Sequence, residues 1–262
     1  MTPASPDGVL SAVDTHCHLF LMEEKPEDVL RSAAEAGVDR LICVGIDVES
    51  STRSVELARS FSGIFATAGV HPHTASEFDR NSRANLEALA SASVVVGIGE
   101  TGLDYYRELS PRGDQHRAFR EHIAVSVDSG KPLVVHVREA WEDALRILEE
   151  ERAEKVVLHC FSGDEALAKE ATARGYFLSF AGNVTYPNAG ALRDAAGAVT
   201  PDQILCETDS PFLAPQVVRG RANSPANLPF TLAALAEVRG VSVAEVAAAT
   251  AAAAQSAFRL SP

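Results

Sequence analysis

The stretch Gly130-Lys-Pro-Leu-Val-Val-His-Val-Arg-Glu-Ala-Trp-Glu-Asp-Ala-Leu-Arg-Ile-Leu-Glu-Glu150 holds a strand and a helix in immediate succession. Pro132–Val137 is a short apolar, β-rich run opened by Gly and Pro. Glu139–Glu150 follows, with Trp141, Leu145 and Leu148 repeating at helical spacing, so one face is apolar. The same β-then-α unit recurs on both sides. Further strands are predicted at Ala12–His16, Leu41–Ile46, Ile64–Val70, Val94–Gly99, Val156–Cys160, Tyr176–Phe180 and Ile204–Glu207. Helices are predicted at Pro26–Ala36, Asp114–Ser129 and Glu165–Arg174, each followed by a glycine (Gly37, Gly130, Gly175) where a C-cap belongs. Ser242-Val-Ala-Glu245 has the form of a capping box and starts an Ala-rich helix running to Phe258.

Eight such units in 262 residues match the length of a (β/α)8 TIM-type barrel, about 250 residues. The rival, a doubly wound open sheet, announces itself by a Gly-rich phosphate loop after the first strand, and none stands there. No internal repeat, low-complexity tract or Pro/Ser-rich hinge divides the chain, which reads as a single domain over 1–262.

Composition narrows the function classes. Asp plus Glu number 36 against 23 Lys plus Arg, a net charge of −13, so a broad DNA-coating groove or an anionic-membrane patch is excluded. An enzyme gripping a few nucleotides through local cations is not. No apolar stretch is long enough for a membrane span, and Met1–Gly8 lacks the basic and apolar regions of a secretory signal. Cys17, Cys43, Cys160 and Cys206 form no CxxC pair and lie in apolar, strand-like runs, the pattern of a reduced cytoplasmic protein.

The polar residues fall at strand ends. His16 and His18 end the first strand, Glu100 the fourth, His136 the fifth and His159 the sixth, and Asp209 follows the eighth. In a barrel these ends converge on one mouth. Strand alternation points Asp14, His16 and His18 one way and Cys17 the other; it also groups Glu207 with Asp209 and His136 with Arg138. A lone strand histidine is more often a hydrogen-bonded core residue than a ligand. Four histidines and two carboxylates in one buried volume lack partners unless a cation supplies them. Imidazole with carboxylate suits Zn, Mn or Fe, or Mg with fewer histidines.

Six blocks carry a resemblance. Val13-Asp-Thr-His-Cys-His-Leu19, Gly69-Val-His-Pro-His73 and Gly99-Glu-Thr-Gly-Leu-Asp-Tyr-Tyr-Arg107 are similar to motifs of the TatD family of metal-dependent deoxyribonucleases. So are Lys131-Pro-Leu-Val-Val-His-Val-Arg-Glu-Ala140, Leu158-His-Cys-Phe-Ser-Gly163 and Leu205-Cys-Glu-Thr-Asp-Ser-Pro-Phe-Leu213, in the same order and spacing. The resemblance implies two divalent ions (Mg, Mn or Zn). It assigns His16, His18 and Asp209 to one, His136 and His159 to the other, and Glu100 to a bridge where many related hydrolases carry a carboxylated lysine. Lys131 precedes the fifth strand, at the opposite rim, and cannot fill that place. Two departures stand out. His122 occupies the second of two positions that are usually Gln, after Gln115 and Phe119, and Ser224 stands where Glu is usual.

The expected activity is phosphodiester hydrolysis of short single-stranded DNA or nucleotide ends, with 3′ to 5′ exonuclease action. Asp209 is expected to take the proton of the attacking water and Glu207 to orient from behind it. His71 is expected to contact the substrate phosphate or leaving group, and Arg138 and Tyr105 are candidate substrate contacts. His73 is read as a loop residue, His116 and His122 as surface or helix packing, and Trp141 as core. D-aminoacyl-tRNA deacylation is an alternative for the same scaffold. A non-catalytic binding barrel is disfavoured, because such a protein has no need of all six ligands.

Overall fold

The computed structural model describes residues 11–260, so Met1–Gly8 lies outside the described residues. Eight parallel strands alternate with helices and form one sheet in the order β1 to β8, the (β/α)8 topology that the sequence pattern predicts. The strands are β1 (Ala12–Cys17), β2 (Val38–Val44), β3 (Ile64–Ala68), β4 (Val95–Asp104), β5 (Leu133–Arg138), β6 (Val156–Leu158), β7 (Phe177–Phe180) and β8 (Ile204–Cys206). The helices are α1 (Pro26–Glu35), α2 (Val48–Ser60), α3 (Arg80–Ala90), α4 (Arg112–Ser129), α5 (Trp141–Glu150), α6 (Glu165–Ala173), α7 (Gly190–Ala198), α8 (Leu228–Arg239) and α9 (Val243–Phe258). No described helix is long and apolar enough to cross a membrane.

By internal contacts the chain divides into two compact units, Met1–Ile42 with Cys160–Pro262, and Cys43–His159. In the first, the segment after β8 lies beside β1. Cys17 and Ser210 form a parallel bridge, the Asp209 amide donates to the His16 carbonyl at 2.8 Å, and the His18 amide donates to the Ser210 carbonyl at 2.8 Å. The Ala-rich α9 opens with the expected capping box, in which Ser242 and Glu245 each accept the other's backbone N–H.

In the second unit, β4 is longer than its sequence suggests, continuing past Glu100 to Asp104. Two glycines make this possible. A Cβ on Gly99 would lie 2.4 Å from the Val134 carbonyl oxygen, and one on Gly102 would lie 2.0 Å from that of His136. Both residues also take φ values, +137° and +133°, that side chains resist. Glycine here permits close strand approach, and the register runs on as Gly102 beside His136 and Asp104 beside Arg138.

Several local expectations are corrected. Strand β2 begins at Val38, because an exposed Asp39 and a half-buried Arg40 are tolerated at a strand's start without ending it. Helix α5 begins at Trp141, which is only half-buried; Ala144, Leu145, Ile147 and Leu148 form its buried face. Cys160 lies past the end of β6 with φ 44° and is partly exposed, whereas Cys17, Cys43 and Cys206 are buried. Lys131 does sit at the far end of the strands, donating to the carbonyl of Val95, the first residue of β4.

Candidate metal centre

The unit containing β1 and β8 carries one donor set. Alternation along β1 places Asp14, His16 and His18 on a common side, and all three are buried. The Nε2 atoms of His16 and His18 lie 3.3 Å apart. Asp209 Oδ1 lies 3.4 Å from His18 Nε2 and 3.8 Å from His16 Nε2. Its backbone is held at φ 54° by the hydrogen bond to His16. Among the described residues, no lysine or arginine reaches this carboxylate. Two imidazole nitrogens and one carboxylate oxygen therefore converge, a set that fits a divalent first-row cation.

Behind this set lies Asp14. Its carboxylate accepts from Thr208 Oγ1 at 2.5 Å, from the Thr208 amide at 2.9 Å and from the His16 amide at 3.2 Å. Burial nevertheless pushes its pKa up to about 7, outweighing those bonds. Asp14 thus ties β1 to the segment after β8 and fixes the backbone of His16. Glu207, fully buried, accepts from the Cys160 amide at 2.8 Å through Oε1.

The Cys43–His159 unit carries the second set, centred on one oxygen. Glu100 Oε1 lies 2.9 Å from His159 Nε2, 3.2 Å from His136 Nδ1 and 3.3 Å from His71 Nε2. Burial alone would raise the Glu100 pKa, but the surrounding imidazoles override it and hold the group well below the usual carboxylate range. His136 stands on β5 and His159 directly follows the neighbouring β6, their facing nitrogens 3.5 Å apart.

The three rings have distinguishable roles. His136 directs Nε2 at Asp104 Oδ2, 3.2 Å away, so that nitrogen carries a proton, and Nδ1 is the nitrogen that faces Glu100; burial would lower the ring's pKa, but the two carboxylates outweigh it and raise it. His71 accepts the His73 amide at Nδ1, 3.1 Å away, so the neutral ring keeps its proton on Nε2. Burial lowers its pKa to about 4, which keeps it neutral. Its Nε2–H is therefore directed at Glu100 Oε1, 3.3 Å away.

Asp104 is the residue that sequence reasoning missed. It is buried and accepts from four groups: His73 Nε2 (2.8 Å) and His136 Nε2 through Oδ2, and the amides of Tyr106 (3.0 Å) and Arg107 (2.7 Å) through Oδ1. Burial would raise its pKa, but these bonds hold it below the usual range. The available signal was parity, since Glu100, Gly102 and Asp104 alternate on one strand. His73, read as a loop residue, belongs to this network. Gln115, the family position that is kept, clamps Asp104 by accepting its amide (2.8 Å) and donating to its carbonyl (3.2 Å).

Of the expected substrate contacts, the Tyr105 hydroxyl is already taken, by Asp143 at 2.6 Å and His116 at 2.5 Å, and the Arg112 guanidinium covers its ring. Arg138 stacks instead on Tyr106, 4.0 Å from the ring centroid. His122 is fully buried: Nδ1 donates to the Ala118 carbonyl at 2.6 Å and Nε2 accepts the Val70 amide at 2.9 Å.

Eight β/α units with histidine and carboxylate sets at their strand ends define a metal-dependent hydrolase of the (β/α)8 class. The family model described as TatD related DNase matches residues 13–259, and the chain belongs to that family. It is 39% identical over 261 residues to a Mycobacterium tuberculosis protein described as the uncharacterized metal-dependent hydrolase TatD, covering 95% of this chain and 98% of that one. It is 36% identical over 221 residues to the 3'-5' ssDNA/RNA exonuclease TatD of Cronobacter sakazakii, covering 82% of this chain and 84% of the relative. Among solved structures, the TatD homologue YjjV of Escherichia coli superposes with a TM-score of 0.90 at 26% identity, covering 97% of this chain and 100% of that one.

Proposed function

We propose that this TatD-family hydrolase cleaves phosphodiester bonds at the ends of short single-stranded DNA, removing nucleotides in the 3′ to 5′ direction. The observation that carries the reading is the pair of largely buried donor sets, His16–His18–Asp209 and Glu100–His136–His159, each of a composition that takes a divalent ion. Relatives 36–38% identical that are called 3'-5' ssDNA/RNA exonucleases support the choice of substrate. A bound divalent cation supplies Lewis acidity toward a phosphoryl oxygen and makes water a better nucleophile near neutral pH.

The chain's own groups do the rest. Asp209 accepts the proton of the attacking water. Glu207 holds the Cys160 amide and orients the segment beside it. His71 presents Nε2–H to a phosphate or leaving-group oxygen, and Asp104 keeps His136 in the tautomer that leaves Nδ1 available.

The test compares product release from a 5′-labelled single-stranded oligonucleotide with release from D-aminoacyl-tRNA, at matched divalent metal. Stepwise shortening of the labelled strand supports the proposal. Deacylation without shortening would replace it with the ester-hydrolase reading.

A further inference from the structure

Beside the histidines, the ends of β4 and β5 build a second feature. Arg138 lies two residues beyond His136 on β5, so strand alternation sets both side chains on one face. Its guanidinium stacks on Tyr106, and Tyr106 is 58% exposed, too open for a packing role. The position of Tyr106 is nevertheless fixed. One oxygen of Asp104 accepts the amides of Tyr106 and Arg107 while the other accepts His136, so a single buried carboxylate sets the place of both the ring and the histidine.

The charge on Arg138 is uncommitted. Arg138, like Arg53, Arg59, Arg80, Arg107 and Arg152 of the same unit, has no carboxylate partner among the described residues, and of these six it is the one set over an aromatic ring. In a chain of net charge −13, an exposed arginine left without an acid and set over an aromatic ring is a preformed anion contact. Stacking restricts the guanidinium but leaves its N–H edge open for two parallel bonds to phosphate.

We propose that Tyr106 and Arg138 form a subsite for one nucleotide unit next to the scissile bond: the open side of the ring takes a base, and the guanidinium edge takes a backbone phosphate. The proposal rests on the phosphodiesterase reading and adds to it the means by which a strand end is told from a small diester. Base stacking on an aromatic ring tolerates any sequence, so the subsite selects polymer over monomer without selecting bases.

The experiment measures binding of a hydrolysis-resistant phosphorothioate trideoxynucleotide to the metal-loaded enzyme, and in parallel the hydrolysis of bis(p-nitrophenyl) phosphate, which has no neighbouring nucleotide. Arg138→Met and Tyr106→Leu should each weaken trinucleotide binding about tenfold, and their loss on the small diester should be several-fold smaller. Tyr106→Phe keeps the ring and should recover most of the binding lost in Tyr106→Leu. Equal losses on both substrates, unchanged binding in the variants, or no binding by the wild type would overturn the subsite. The underlying reading fails separately. Weakened trinucleotide binding in the variants, with no diester cleaved by the wild type, leaves the subsite standing and overturns the phosphodiesterase reading.

Discussion

Asp104 Oδ2 accepts the Nε2–H of His136 at 3.2 Å, and this bond decides which nitrogen of that ring faces Glu100. The same oxygen accepts His73 at 2.8 Å, so two imidazoles are oriented by one buried carboxylate four residues beyond Glu100 on β4. A carboxylate behind a ligating histidine fixes its tautomer and raises its basicity, and removing one lowers metal affinity by about 10- to 100-fold. Asp104→Asn should therefore show a fall of that order in metal affinity, with activity recovered as metal is raised. Titration of activity and of bound metal against free Mn checks it. An unaltered midpoint would mean that His136 needs no such partner.

Removal of the metal should act on stability as well as activity. Both donor sets bring carboxylate oxygens and imidazole nitrogens to within 4 Å of one another, so a bound cation would tie several strand ends together. Exhaustive chelation should abolish turnover, and Mn, Mg or Zn should restore part of it. A cation at 100 times its Kd stabilises a folded chain by about 2.7 kcal/mol, so the melting temperature should fall on chelation. His16→Ala and His159→Ala should each lower the bound metal on direct analysis. Full activity after chelation would defeat the metal-dependent reading for this chain.

Much of this was legible before the fold was seen, and the gaps have physical causes. Strand-end histidines and acids announce themselves because a polar residue closing an apolar run is conspicuous. Asp104 was hidden because Gly99 and Gly102 look like strand terminators, whereas they are the residues that let β4 approach Val134 and His136 and run on. His122 was hidden for another reason: its partner, the Val70 amide, is 52 residues away, and no local pattern records such a bond. Tyr105 and Tyr106 are adjacent and chemically alike. Only the fold shows that one hydroxyl is consumed by Asp143 and His116 while the other ring lies open under Arg138.

His122 gives a pH prediction. Burial lowers its pKa from 6.5 to about 4, and its neutral form both donates to Ala118 and accepts from Val70. Between those two values the unfolded chain holds a proton that the folded chain does not. Stability is therefore whole above about pH 6.5 and is lost as pH falls toward 4, by up to about 3 kcal/mol from this group. Gln at this position can make both bonds without titrating. His122→Gln should flatten the dependence of the urea midpoint on pH between 4 and 6.5 relative to the wild type. Parallel curves for the two proteins would show that the imidazole is not the source.

The acidity of the chain bears on how a strand is held. Each phosphate neutralised on single-stranded DNA contributes about −0.7 to the slope of log K against log salt, so two or three contacts give about −1.4 to −2.1. Affinity should level off after a few nucleotides. A slope of about −5 or steeper, with affinity still rising for long oligomers, would reveal a cationic path that a net charge of −13 gives no reason to expect.

Asp209 offers the sharpest separation of ligand from base. Its φ of 54° lies in the left-handed region, which Asn tolerates far better than most residues, so Asp209→Asn preserves the turn and the amide bond to His16. The substitution also keeps an oxygen beside His18 and His16 while removing the charge and the proton acceptor. If Asp209 is the base, kcat should fall by about 10²- to 10⁴-fold, the scale of general-base catalysis, with metal still bound at raised concentration. Asp209→Ala is the wrong control alone, since it adds backbone strain and deletes the ligand together. Measuring kcat and bound metal on the same Asn sample decides the matter. Near-normal kcat would transfer the role to Glu207, the next carboxylate on that segment. A collapse in bound metal that excess cation cannot repair would show that the ligand's charge, and not its basicity, is what the reaction needs.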